Sequence, residues 1–483
     1  MPSSRVMRLR KVDHDGVDAG LLRAGIAAIQ AEQQVSETFP DEVERAAAAA
    51  AAAPRLPTLD RTDIPFVTID PAGSMDLDQA LHIARDGDGY RVSYAIADLA
   101  AFVSPDDPVD LEARRRGQTL YGADSKIPLH PKVLSEGAAS LLPDQPRPAL
   151  LWTMHVDGTG EGTDVHVERA VVRSRAKLDY ASVQREIDAG TADESLQLLR
   201  EVGTKRLERE AARGGVDLPT PEQEIDIDGP EWRLEFRSLL PVERWNAQIS
   251  LLCGFGAASL MVYARVGLLR TLPPPDPRDV KRLHRTARAL HIDWPAEMLY
   301  PDLVRSLDPR KPNHAAMVVA CTRLLRGSGY VAFNGEVPEQ PEHAALSSEY
   351  SHVTAPLRRL VDRYASEVCV ALCAGQEVPE WTLGMLPVLP EVMRESTQRA
   401  NRYERAIVDL VETGVLRQRV GETFDAVVVD VDESNDKRGD VTVQEPAVEA
   451  AVRSDRPLPL GTDVRVRLVK ADLTTRKVEF ALA

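Results

Sequence analysis

Aromatic side chains are scarce in this chain of 483 residues, only 5% of it, so any platform for stacking rings must be built from a few identifiable positions. Cysteine is scarcer still. Cys253, Cys321, Cys369 and Cys373 form no CxxC and accompany no paired histidine spacing. That excludes the usual zinc motifs and leaves reduced, mostly buried thiols. No uninterrupted apolar run of about 18 residues occurs, and the start MPSSRVMRLRKV lacks the apolar core of a secretory signal. The expectation is a cytoplasmic chain without a membrane partner. An excess of positive charge is missing too: 59 Lys and Arg against 75 Asp and Glu leave −16. This argues against a protein that coats polyanions over its whole surface, though one groove can be basic inside an acidic exterior. No internal repeat is visible.

At roughly 100–200 residues per domain the length predicts two to four domains, and the 43% hydrophobic content supplies an ample core. Residues 1–38 carry GLLRAGIAAIQAEQQV, whose Leu21, Leu22, Ile26 and Ile29 share a helical face. They are expected to form a small helical domain, helix-turn-helix-like. FPDEVERAAAAAAAAPRLP then supplies acids and a run of alanines, closed by Pro54 and Pro57, and predicts a helix leading into the main domain. FVTID, LDQALHI and YRVSYAIADL read as strands, the last two joined by the turn-forming DGDG. From about 230 to 415 the pattern is largely helical. The last seventy or so residues change character: ETFDAVVVDVDE, DVTVQE, VEAAVRS, DVRVRLVKAD and RKVEFALA are short β-branched runs between turn residues. They predict a five-stranded barrel, an OB fold or another small β barrel. The fold class is therefore α+β, with a mixed α/β domain over 39–415 and a barrel over 416–483.

FVTIDPAGSMDLDQALHI (66–83) concentrates acid: an apolar strand ends at Asp70, a Pro-Ala-Gly-Ser turn follows, and Asp76 and Asp78 return two apart. In extended chain that spacing puts both on one face. Three converging carboxylates repel unless a cation or proton sits among them, and oxygen-only donors suit Mg²⁺ or Mn²⁺. The plain alternative is a set of solvated turn aspartates. The flanking FVTI and ALHI weigh against it by drawing the acids inward. In YSHVTAPLRRLVDR (350–363) Thr354 is a candidate N-cap and Pro356 falls in the first turn of a helix running through Cys373. Arg358 and Arg359 would then sit at the positive end of a helix, where an anion such as phosphate reconciles them. Ion pairing with Glu349 or Asp362 is the competing explanation. Tyr121 in QTLYGAD and Tyr180 in AKLDYAS are polar-flanked tyrosines that would serve as stacking platforms or simply as core residues.

Taken in order, FVTIDPAGSMDLDQALHI, YRVSYAIADLAAFV, VDLEARRRGQTLYGADSKIPLHPKVLSEGAASLLP, RAKLDYASV, EHAALSSEYSHVTAPLRRLVDR and the terminal barrel resemble the RNB family, that of ribonucleases II and R. The resemblance spans roughly residues 39–483. It implies an RNB catalytic domain and an S1-type OB-fold domain, acting as a monomer on single-stranded RNA. The implied activity is processive hydrolysis from the 3′ end, releasing nucleoside 5′-monophosphates with Mg²⁺, or Mn²⁺, as cofactor. By position Asp70, Asp76 and Asp78 match three of the family's four aspartates, Asp78 being the indispensable one. Arg358 matches the arginine that stabilises the transition state, Arg359 beside it is expected to hold RNA, Tyr121 and Tyr180 match aromatics touching the 3′ segment, and Glu404 in RYERA matches an acid near the last nucleotide. Three departures stand out. Gln79 occupies the place of the fourth aspartate, a neutral and weaker metal ligand. Leu218 lies where an aromatic opposes the second tyrosine, and residues 1–38 are too short for the two cold-shock barrels of relatives. An RNA-binding protein of the same fold without catalysis is the alternative, and a phosphodiesterase of small nucleotides a more distant one.

Overall fold

Described in the computed structural model are residues 7–12, 17–123, 125–220, 222–228 and 231–483. They begin with a strand, β1 (Met7–Val12), and a helix, α1 (Val17–Glu32). α2 (Asp41–Ala52) is the alanine run. Asp41, Glu42 and Glu44 in its first turn complement the helix dipole, and Pro54 follows its end. Five strands then close into a barrel: β2 (Phe66–Asp70), β3 (Gln79–Asp86), β4 (Gly89–Ala97) and, after α3 (Pro108–Arg116) and the hairpin of β5 (Leu120–Tyr121) and β6 (Lys126–Ile127), β7 (Pro146–Val156) and β8 (Gly162–Asp179). Barrel order is β2-β3-β4-β7-β8, antiparallel except where β8 returns parallel to β2. The strands were legible; their closure was not. Tyr94 and Trp152, register partners on β4 and β7, are among the most deeply buried side chains.

The C-terminal ends of β2 and β8 and the N-terminal end of β3 gather at one mouth of this barrel, since Asp70 pairs with Asp179 and Gln79 with Ile96 near the end of β4. Around the barrel pack α4 (Tyr180–Ala189), α5 (Glu194–Ala212) and α6 (Pro241–Ala264), while the intervening strands β9 (Glu222–Asp228) and β10 (Glu231–Arg237) bury Ile225 and Leu234 in a core shared with the C-terminal strands. By length and composition α6 would cross a membrane. Here it is a core helix, with Val242, Ile249, Leu252, Cys253, Ala257 and Met261 buried in the main hydrophobic cluster. The chain continues through β11 (Val266–Thr271), α7 (Pro277–Ala289), α8 (Tyr300–Ser306), α9 (Pro312–Cys321), β12 (Gly329–Asn334), β13 (Glu342–His343) and β14 (Ser348–Glu349). It ends the main body with α10 (Leu360–Cys373), α11 (Glu380–Met385) and α12 (Leu389–Leu416). All four cysteines are free and only Cys373 reaches the half-buried class.

The terminal strands form the expected closed barrel: β15 (Thr423–Val431), β16 (Arg438–Val443), β17 (Val448–Arg453), β18 (Asp463–Asp472) and β19 (Lys477–Leu482), in the order β15-β16-β17-β19-β18. Its interior is filled by Val428, Val441, Val448, Val466, Leu468 and the edge-to-face pair Phe424 and Phe480. This is an OB-type fold.

The described residues within 1–38 do not make the separate helical domain expected of that segment. β1 pairs in parallel with β9, which pairs with β10, so the first described strand is one edge of a three-stranded sheet with residues 222–237. Leu22, Ile26 and Ile29 of α1 share one core with Ile407 and Leu410 of α12 and with the terminal barrel. The physical cause is simple. A lone amphipathic helix has an apolar face to cover, and α12 covers it.

Candidate active site

One mouth of the first barrel carries the acids. Asp70 is the last residue of β2, and the chain then turns through Gly73, whose φ of +87° is the left-handed geometry that glycine adopts at little cost. It comes back outside any strand over 74–78, with the carbonyls of Leu77 and Asp78 accepting from the amides of Leu141 and Ala97. Leu77 is fully buried and donates its N–H to Ser140 Oγ at 3.0 Å. Asp76 and Asp78 flank it, close enough for the charge of Asp76 to act on Asp78. Asp78 is 6% exposed and one of its carboxylate oxygens accepts the backbone N–H of Leu357 at 2.8 Å.

Burial drives the electrostatics. Loss of water pushes the carboxyl of Asp78 up to about 8 and that of Asp70 up to about 6; Arg358 pulls both back and the charge of Asp76 pushes both further up. Arg358 stands 3.8 Å from Asp78, and its side chain is 44% exposed, so the guanidinium meets the acid on one side and solvent on the other. Tyr121 joins the same group through its interaction with Arg358 and remains 36% exposed. The pattern thus unites Asp70, Asp76, Asp78, Tyr121 and Arg358. Tyr180 opens α4 immediately after Asp179, the register partner of Asp70, and its hydroxyl accepts from Asn246 at 3.3 Å.

Four expectations are modified by the structure. The helix does not begin at Thr354: Pro356, Leu357 and Arg358 form a turn, Arg359 makes a β-bridge to Gln118, and α10 starts at Leu360. The amides just before it are held by carboxylates, Ala355 N–H by Asp362 of the first turn of α10 and Leu357 N–H by Asp78 from far along the chain. Arg359 therefore sits at the N-cap, and its guanidinium grips both oxygens of the fully buried Asp362 at 2.8 Å. Of the two readings of this arginine, the ion pair with Asp362 is the one the structure shows. Gln79 is not a free metal ligand either. Its amide nitrogen donates to Thr354 O at 2.7 Å and its oxygen accepts from Tyr94 at 2.5 Å and Ser250 at 3.3 Å, so both poles of the neutral amide are satisfied by protein. Leu218, expected opposite Tyr180, packs instead against the cluster of Leu283, Leu303 and Met317.

Lys126 escaped the sequence reading. It lies opposite Tyr121 in the β5–β6 hairpin and reaches Asp76 at 2.7 Å and Glu136 at 3.1 Å. Burial alone would depress its ammonium, and the two acids outweigh that and hold it protonated. The four-residue connection GADS between Tyr121 and Lys126 was the available signal. Glu404 on α12 is partly buried, and among the described residues no hydrogen bond or ion pair engages it. Burial pushes it up to about 7.

The donor set is oxygen only, and two of its carboxyls are starved of solvent, which suits a hard divalent cation. Among the described residues no three Asp, Glu, His or Cys side chains converge as a complete ligand cage. Mg²⁺ does not need one, because it keeps waters and is commonly held by one or two carboxylates plus substrate phosphate. In that sense the residues present fit it.

Comparisons with known proteins agree with this architecture. The RNB domain family matches residues 59–373, and the RNase II-type exonuclease C-terminal S1 domain matches residues 422–483. Ribonuclease R of Vibrio cholerae is 26% identical over 440 residues, 83% of this chain and 51% of that protein. The chain thus spans about half the length of that relative. Among solved structures, Mycoplasma genitalium RNase R in complex with ribose-methylated single-stranded RNA superposes with a TM-score of 0.85 at 19% identity, over 96% of this chain and 78% of the other. Yeast Ssd1, a pseudonuclease, superposes at 0.71 with 15% identity, over 89% of this chain and 55% of the other. With the matched family covering most of the chain and both barrels in place, this protein belongs to the RNB family of ribonucleases II and R.

Proposed function

We propose that the protein is a hydrolytic 3′-to-5′ exoribonuclease that shortens single-stranded RNA processively and releases nucleoside 5′-monophosphates. The observation that carries the proposal is the grouping of Asp70, Asp76 and Asp78 with Arg358 and Tyr121 at one barrel mouth. In this reading residues 39–415 are the catalytic domain and 416–483 the RNA-guiding barrel. Water attacks the terminal phosphodiester, the bond from phosphorus to the 3′ oxygen of the preceding nucleotide breaks, and the phosphate leaves on the 5′ side of the freed nucleotide. Asp70, Asp76 and Asp78 are the residues that would hold Mg²⁺ or Mn²⁺. When bound, such an ion acidifies water and offsets charge on the leaving oxygen. Arg358, tethered at Asp78 and open to solvent, neutralises the equatorial oxygens as charge builds on them. Tyr121 offers a ring for the terminal base, and the 2′-hydroxyl provides the handle that separates RNA from DNA.

A second reading is favoured by a specific observation. Gln79 stands where an acid would complete the set, and Asp76 is already held by Lys126, which suits an RNA-binding protein with lost catalysis. The deciding assay uses 5′-labelled single-stranded RNA with Mg²⁺ or Mn²⁺ titrated. The wild type is expected to give a ladder of shortened products, and Asp78→Asn to give none while still retaining RNA. A fully active Asp78→Asn protein rejects the proposed site. An unchanged RNA at every metal concentration, with binding intact, selects the pseudonuclease.

A further inference from the structure

Outside the acidic mouth, the least expected charge in a chain of net −16 lies on α7, PRDVKRLHRTARA. It carries Arg278, Lys281, Arg282, Arg285 and Arg288 against Asp279 alone. The helix is sharply two-faced. Leu283, Ala287 and, just past its end, Leu290 are buried in the cluster that includes Leu303, Val304 and Met317. On the other side Arg278, Lys281, Arg285 and Arg288 are exposed at spacings of three, four and three, a single stripe about 15 Å long at the helical rise. Among the described residues none of these four side chains is in an ion pair. Like charges at this spacing repel.

α7 is also fixed to the terminal barrel. Arg282, on the flank of the stripe, pairs with Glu433 beyond the end of β15, and Arg323 reaches Asp430 on β15 at 3.0 Å. At Gly461 in the loop before β18 an added Cβ would come within 2.3 Å of Leu290, so barrel and helix meet without a gap. The stripe therefore extends the surface of the domain that resembles an RNA-guiding barrel.

We propose that the Arg278–Lys281–Arg285–Arg288 face of α7 is a phosphate track for the part of an RNA strand lying 5′ of the end held at the acids. This rests on the exoribonuclease reading and adds a second contact surface to it. Three features select RNA. A membrane-surface helix would need its apolar face free for lipid, and here that face is buried in protein. A protein partner would be expected to find aromatic or apolar anchors, and the stripe has none. Unpaired cations in a row, without base-reading side chains between them, suit a polyphosphate backbone.

The test is the salt dependence of RNA binding by the full chain, in the Asp78→Asn background so that no strand is cut. It compares a 30-nucleotide and a 6-nucleotide RNA and a variant with Arg278→Gln, Lys281→Gln, Arg285→Gln and Arg288→Gln together. For single strands each lost phosphate contact lowers the slope of log affinity against log salt by about 0.7, so the four changes are expected to lower it by about 3 for the long RNA. The affinity gap between long and short RNA is expected to shrink in step. An unchanged slope on the 30-mer overturns the track and leaves the nuclease reading standing. A parent that holds neither RNA overturns both. Capture of anionic vesicles through the stripe, with the RNA slope unmoved, overturns it in favour of a lipid surface.

Discussion

Arg358 and Arg359 are adjacent, both cationic and both beside an acid, yet they are expected to fail differently when removed. Arg358 faces solvent and approaches Asp78 only at 3.8 Å. Arg358→Ala should leave the melting temperature close to wild type and slow RNA shortening by about 10²–10³-fold, the usual size of one lost transition-state donor. Arg359 neutralises Asp362, which is fully buried, so Arg359→Ala strands a charge in the core and should cost about 3–5 kcal/mol of stability. Thermal melting and single-turnover shortening, run on both variants, separate the two. A second test at this scale uses pH. Burial raises Glu404 to about 7, above the usual range for a free carboxyl of about 4.3. The folded state then holds a proton that the unfolded state has lost between those values, so stability is full below the lower value and falls as pH rises through 7. Glu404→Gln should therefore raise the melting temperature at pH 8 and change it little at pH 4.5; a gain confined to the acidic side would contradict the sign. The acids and Arg358 were legible because each sits inside a local pattern of turn and strand. The saturation of Gln79 was not, since Thr354 and Ser250 come from far along the chain.

Elements follow the same division between local and distant causes. α2 is fixed by its own alanines, acids and proline, and β15–β19 by β-branched runs between turn residues, so both were readable. The start of α10 was misplaced because Asp362 of its own first turn takes the amide of Ala355 and the distant Asp78 takes that of Leu357, and propensity carries no trace of the second. The closure of the first barrel was likewise hidden, because it depends on β8 returning beside β2 across about a hundred residues of sequence. α1 shows the difference most directly: its apolar stripe was clear, while the surface that covers it belongs to α12 and the terminal barrel. This predicts the behaviour of Ile29→Ala. Ile29 is fully buried, and truncation should cost about 2–5 kcal/mol and shift the main unfolding transition. A separate low-temperature transition, with the main one unmoved, would mean that residues 1–38 fold as an independent unit after all.

At the scale of the whole molecule the question is whether the terminal barrel is an appendage or part of the fold. One hydrophobic cluster runs from Leu22, Ile26 and Ile29 through Ile225, Leu234, Tyr403, Leu410 and Val411 into Phe424, Val448 and Phe480 of the barrel. Polar ties run beside it. Gln223 donates to Glu412 at 3.0 Å and to Ala447 O at 2.8 Å, the amide of Ala447 reaches Leu234 O at 2.8 Å, and Arg476 meets Glu32 at 2.8 Å. Removing residues 419–483 would expose the apolar face of α12 and leave Gln223 and Glu412 without barrel partners. Each fully uncovered large side chain costs about 1.5–3 kcal/mol, and several together approach the whole stability of about 5–15 kcal/mol typical of a folded protein. The truncated chain is therefore expected to lose cooperative unfolding, measured by circular dichroism on heating, and to bind an apolar dye where the intact chain does not. If it instead melts cooperatively within a few degrees of the intact protein, the barrel is a detachable module and the shared core contributes little.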